Sequence, residues 1–192
     1  VEQWMAEAIR RSGIADGAMR INWSRGSGGR GLQPPAQAKG RCWGSLYPHQ
    51  PSFQRQQVVI SERVQRWADD PLKGCKTLDY SAMVLARLEA SQAGASDVLL
   101  RSSQGGLCCG SSANLLVQEG GQWLTPPLSS GALPGVMRAR GVAMGLIQEA
   151  RLADSLPNEQ PALLLNSLDC RPLNHIAEPL AEPLFVQLLG SD

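Results

Sequence analysis

At 192 residues with an ordinary 43% hydrophobic fraction, the chain can bury a substantial core in one large domain or two small ones. A formal net charge of +1 gives no electrostatic reason to expect nucleic acid or a membrane surface as partner, and no run approaches the ~20 apolar residues that span a bilayer. The opening VEQWMAEAIRR has neither the apolar run nor the small-residue cleavage site of a secretory leader.

Trp4, Met5, Ala8 and Ile9 recur at helical spacing, which predicts an amphipathic helix over residues 2–12, stopped by Gly13 and the Asp16-Gly17 pair. Ala18–Ser24 alternates like a half-buried strand; the glycine-rich SRGSGGRG of Ser24–Gly31 and a proline-containing linker to about Lys39 follow. Cys42–Tyr47 and Gln57–Ser61 are further strands, and the polar Arg63–Gly74 reads as a connector between two lobes. Tyr80–Ala93 is a helix with Met83, Val84, Leu85 and Leu88 on its expected core face, ended by Gly94. Asp97–Leu100, Asn114–Val117, Gln122–Thr125 and Ala162–Leu165 are apolar strands, and Pro134-Gly135 introduces a helix from Val136 to about Leu152. Pro179–Leu189 is a strand or a terminal helix, and Pro183 weighs against the helix. Val1 is not a methionine and falls at the edge of a helix, which leads us to expect an upstream segment.

Four segments carry candidate chemistry. Lys76, in CKTLDY ahead of a helix, is by position alone a solvated surface group, yet partial desolvation would make it a Schiff-base nucleophile. Gly106–Val117 (GLCCGSSANLLV) is either a plain Ser/Gly turn or a loop whose small residues let backbone amides approach an anion. Ser129–Arg138 (SSGALPGVMR) ends in a helix start, where free amides at Val136 and Met137 suit a phosphate, as at any helix N-terminus. Arg25 and Arg30 of SRGSGGRG suit carboxylates through bidentate contacts; the competing RGG-like nucleic-acid role is a poor match to one short copy in a near-neutral chain. Cys42, Cys75, Cys108, Cys109 and Cys170 form no C-x-x-C pair and His49 and His175 stand alone, so no metal site is expected and the thiols point to a reducing, cytoplasmic setting.

In this order the segments resemble the class IV, fold-type IV pyridoxal-phosphate enzymes, which include branched-chain and D-amino-acid aminotransferases and aminodeoxychorismate lyase. A K-x-L-N-like motif stands at Lys76-Thr77-Leu78-Asp79, a T-E-G-x-x-x-N-like loop at Cys108–Asn114, and a T-P-P-L…L-P-G-I-x-R-like stretch at Thr125–Leu128 and Leu133–Arg138, followed by an N-S-L-x-x-x-P match at Asn166–Pro172. The resemblance implies a two-lobe α/β (α+β) fold like that of D-amino-acid aminotransferase. Residues 1–68 would form a small N-terminal lobe that lacks its start and the family's H-x-x-R helix. Residues 69–192 would form the large cofactor-binding lobe, with the site near a homodimer interface.

Carried over by position, the resemblance makes Lys76 the lysine that condenses with pyridoxal 5'-phosphate and moves the substrate proton. Val136 and Met137 would hold the cofactor phosphate with Ser111, Ser112 and Ala113, and Asn166 and Ser167 would sit at the phosphate or substrate edge. Arg30, with Arg25, would hold the substrate carboxylate. Cys109 occupies the place of the family's glutamate beside the pyridine nitrogen, and Asp79 replaces an asparagine. The SRGSGGRG phrase is closer to the lyase members than to the aminotransferases, which implies cleavage of 4-amino-4-deoxychorismate to 4-aminobenzoate and pyruvate. A D-amino-acid or branched-chain aminotransferase, or a non-catalytic relative, are the other readings of the same resemblance.

Overall fold

The computed structural model describes residues 1–156 and 159–190. Contacts divide the chain into two compact units, Val1–Gln50 and Pro51–Asp192. The first unit contains helix α1 (Glu2–Ser12) and an antiparallel pair, β1 (Gly17–Ser24) and β2 (Arg41–Pro48). α1 stops where its sequence predicts, at Gly13, and Glu7 on its surface accepts from Arg10 and Arg11 one turn on. SRGSGGRG links β1 to β2. Gly26 sits there at φ 96°, and a Cβ on it would fall 1.9 Å from the Lys39 carbonyl oxygen, so glycine alone lets the two legs of the loop meet.

The second unit is an eight-stranded mixed sheet. Its strands are β3 (Val58–Arg66), β4 (Asp97–Ser102), β5 (Leu107–Gly110), β6 (Asn114–Glu119), β7 (Gln122–Thr125), β8 (Ile147–Glu149), β9 (Ala162–Leu165) and β10 (Cys170–Pro172). The order is β10-β9-β6-β5-β4-β3, with β7 on the far end of β6 and β8 beside β7. Both parallel pairs are bridged by helices, as parallel pairing demands: α2 (Ser81–Gln92) joins β3 to β4 and α3 (Val136–Ala143) joins β7 to β8. β3, which precedes the lobe boundary expected from composition, is therefore part of this sheet. A last helix, α4 (Glu178–Leu189), closes the chain, and among the described residues no helix is long and apolar enough to cross a membrane.

Three departures from the expected elements have physical causes. α3 ends at Ala143 rather than near Leu152, because Gly145 adopts φ 72° and a Schellman pair follows: Leu146 N–H donates to Gly141 O and Gly145 N–H to Val142 O. α4 is helical despite Pro183. A proline inside a helix, which removes one ladder bond and crowds the carbonyl four residues back, costs about 3 kcal/mol. The helix buries Ala181, Leu184, Phe185 and Leu188 at i, i+3, i+4 and i+7, and a large side chain gains about 1.5–3 kcal/mol on burial, so the apolar face wins.

α2 corrects the third expectation. Its core face is Met83, Ala86 and Ala90, whereas Val84, Leu85 and Leu88 are 54%, 60% and 54% exposed. Small residues let α2 lie close against β3 and β4, and periodicity alone did not say which of its two apolar stripes would face them. The contact is reinforced by Glu89, whose carboxylate accepts from Glu62 N–H at 2.8 Å and Ser61 Oγ at 2.6 Å across the break in β3–β4 pairing. Those two donors hold the Glu89 carboxyl below its usual range.

Candidate active site

The segment Gly106–Val117, whose first half reads as loop in the sequence, folds as a hairpin: β5 runs into a tight turn closed by Gly110 N–H on Ala113 O at 2.9 Å, then into β6. Ser111 and Ala113 are half-buried and Ser112 is exposed on that turn. β6 is a central strand, with Asn114 paired to Cys109 on one side and Leu165 on the other.

Asn114 also reaches sideways. Its buried carboxamide donates from Nδ2 to Leu133 O at 2.9 Å, which ties the hairpin turn to the start of α3. At that start Gly135 is the N-cap, no side chain caps the helix, and the first ladder bond is Ala139 N–H on Gly135 O. The amides of the first turn, Val136 and Met137 among them, therefore have no intrahelical acceptor. Val136 is exposed and Met137 buried. Arg138, in the same turn, is buried and donates to Pro126 O and to the Glu149 carboxylate, while its Nε has no partner among the described residues.

A third segment joins these two. Asn166 follows β9 directly; its Oδ1 accepts from Leu168 N–H at 2.8 Å and Asp169 N–H at 2.9 Å, and its Nδ2 points to Ser112 O at 3.4 Å. The carboxamide is thus committed to holding the rim of the turn. Ser167 is exposed beside it. Ser111–Ala113, the start of α3 and Asn166-Ser167, three stretches far apart in sequence, converge on one patch.

Lys76 is exposed on the loop between β3 and α2, and its amine makes no hydrogen bond or ion pair among the described residues. Both ends of that loop are fixed near the patch. At one end Arg66 Nε donates to Gly131 O, just upstream of α3; at the other, Met83, Ala86 and Ala90 of α2 pack in one cluster with Cys108, Cys109 and Ala132. Lys73 Nζ donates to Ala68 O, and Asp79 accepts from Ser81 N–H and Oγ, so the loop is braced on both sides of Lys76. The structure gives the Asp79 carboxylate a role the sequence did not supply. Arg25 and Arg30 are exposed on the β1–β2 loop of the first unit.

Cys109 lies on a β-bulge. Leu100 pairs with Cys109 and Arg101 with Leu107, so Cys108 is the extra residue and both thiols enter the same buried cluster. The hydrogen bond with Cys108, and then burial, push the Cys109 thiol far up from its usual range, so it is a neutral S–H at physiological pH. Asn114 and Gly135 stood inside recognised motifs without a role of their own, and only the structure brings them against each other.

The family model for class IV aminotransferases matches residues 1–176. Among curated proteins, the chain is 28% identical over 134 residues to a protein named as a candidate branched-chain-amino-acid aminotransferase of Methanocaldococcus jannaschii, covering 69% of this chain and 46% of that one. It is 36% identical over 85 residues to a candidate aminodeoxychorismate lyase of Schizosaccharomyces pombe, covering 42% of this chain and 37% of that one. The chain thus spans less than half the length of these two relatives. Among solved structures, that of a candidate 4-amino-4-deoxychorismate lyase from Legionella pneumophila is similar at TM-score 0.84 and 23% identity, covering 97% of this chain and 74% of that one.

Proposed function

Because the chain belongs to the class IV aminotransferase family, we propose that it forms the cofactor-binding part of a pyridoxal 5'-phosphate-dependent lyase that converts 4-amino-4-deoxychorismate to 4-aminobenzoate and pyruvate. The observation that carries the proposal is the convergence of the Ser111–Ala113 turn on the uncapped start of α3 through Asn114. The donor set fits a phosphate: free amides at Val136 and Met137 at the positive end of a helix, with Ser111 and Ser112 on the turn that Asn114 ties to that helix start. Bound there, the cofactor supplies an electron sink for the substrate carbon that bears the amine.

Lys76 holds the cofactor aldehyde carbon and moves the proton of that substrate carbon. Arg30, with Arg25, pairs with a substrate carboxylate in a bidentate way. Asn166 shapes the rim through Ser112, and Ser167 lies at the substrate edge. A product assay tests the reaction. Release of pyruvate and 4-aminobenzoate supports the lyase; formation of a new amino acid from a keto acid would instead establish an aminotransferase.

Two features favour the lyase over the D-amino-acid or branched-chain aminotransferase: the SRGSGGRG loop and Cys109. A neutral thiol holds no proton on a pyridine nitrogen, which weakens the electron sink. Forming an aromatic ring offsets that weakness in the lyase reaction and in no transamination. Cys109→Glu should therefore raise transamination relative to elimination, read as the ratio of new amino acid to pyruvate. An unchanged ratio would show that the ring environment does not set the partition.

A homodimer is part of the proposal, supported by the apolar stripe Val84, Leu85 and Leu88 that α2 leaves exposed. The double variant Leu85→Glu/Leu88→Glu should sediment as a monomer where the wild type sediments as a dimer. A monomeric wild type would refute the assembly. Five unpaired cysteines accord with the reducing cytoplasm in which we place the enzyme.

A further inference from the structure

We propose that Asn114 is a positioning residue for the anion cup at the start of α3, acting through an interlock with Gly135; the inference rests on the reading of that cup as the phosphate site. Gly135 has φ −66° and ψ 144°, an extended backbone that any residue adopts, so its identity is not explained by conformation. Space explains it. A Cβ at 135 would lie 2.1 Å from Asn114 Oδ1, a distance no side chain tolerates. The carboxamide therefore occupies the notch that the missing side chain leaves.

The other end of the same carboxamide sets the turn. Leu133 O accepts from Gly135 N–H at 2.8 Å, an i to i+2 bond across Pro134, whose ring suits the fixed φ of such a γ-turn, and it accepts from Asn114 Nδ2 as well. One end of the side chain thus bonds Leu133 and the other rests against the bare Cα of Gly135, the two residues that flank Pro134. Asn114 itself has little freedom, since its strand is hydrogen-bonded on both sides. The direction in which the Val136 and Met137 amides point is consequently fixed by a central strand rather than by the helix alone. Asn114 touches no ligand in this scheme; it aims the groups that do.

The test separates aiming from general support by comparing two aldehydes that differ only in the phosphate. The full chain is titrated spectrophotometrically with pyridoxal phosphate and with pyridoxal. Asn114→Ala should lose about tenfold in affinity for pyridoxal phosphate while changing by less than about twofold for pyridoxal, as expected for one misdirected hydrogen-bonding site. Gly135→Ala, which keeps Asn114 and fills the notch, should give the same selective loss, and it carries the comparison if Asn114→Ala fails to fold. The double variant should be little worse than either single one, because the clash needs both partners. Parallel loss for both aldehydes, or strictly additive losses, would overturn the interlock and leave the phosphate reading standing. A wild type with no preference for the phosphorylated aldehyde would overturn the phosphate reading itself, and the interlock's role with it.

Discussion

Replacing Lys76 with alanine should abolish the absorbance band at roughly 410–420 nm that marks cofactor joined to a lysine, and should cut pyruvate release by about 10²–10⁴-fold, the usual contribution of a positioned proton-transfer group. The amine stands on a loop braced at Ala68 by Lys73 and at Ser81 by Asp79, so truncating a side chain that makes no bond of its own should leave the fold intact. Lys73 provides the control. Its ammonium is committed to a backbone carbonyl and its loss should leave the band in place. Borohydride reduction followed by peptide mapping should place the modified lysine at 76. A band that persists in Lys76→Ala, or a label found on Lys73, would transfer the chemistry to another amine.

The largest effect on stability is expected at Phe185. Its side chain is 2% exposed and meets Phe53 edge-on at 5.7 Å and 68°. It belongs to the cluster that Leu116, Leu163, Leu165, Leu184 and Leu188 build between the sheet and α4. Phe185→Ala removes buried area, leaves a cavity and ends the ring contact, for a total of about 3–5 kcal/mol. α4 adds to the sensitivity, because burial along this face offsets the bond lost at Pro183. In urea the midpoint should fall by the corresponding amount with an unchanged slope. A loss below about 1 kcal/mol would mean that the cluster collapses around the gap instead of retaining it.

The sequence showed those elements whose period and punctuation agree. α1 with its terminal Gly13, β1, β2, β4, β6, β7 and β9 lie within a residue or two of expectation. β5, β8 and β10 did not stand out. β8 and β10 are only three residues long, too short for alternation to register, and β5 is built from Leu, Cys, Cys and Gly, which also suit a turn. The α3 terminus was hidden for a different reason: Gly145 is an ordinary glycine until its neighbours are seen to form a Schellman pair. The segments of the candidate site were legible as separate phrases, and their order carried the family resemblance. Their assembly was not, because Asn114 on Leu133, Asn166 beside Ser112 and Arg66 on Gly131 are contacts between distant positions that no local pattern encodes.

The single unmatched residue at 108 is a place where this stretch of chain can lose length without losing its pairing. Arg101 faces Leu107 and Leu100 faces Cys109, so deleting residue 108 would leave both pairs as neighbours in a regular ladder, with every later side chain on its present face. Position 109 would stay in its buried cluster opposite Leu100, and Gly110, whose bare Cα lets Leu164 approach, would keep its place opposite Leu99. The turn has no such slack: it is closed by Gly110 N–H on Ala113 O, so a residue lost between them would shift β6 against β5. Tolerance of a lost residue is therefore confined to the bulge and ends at the turn.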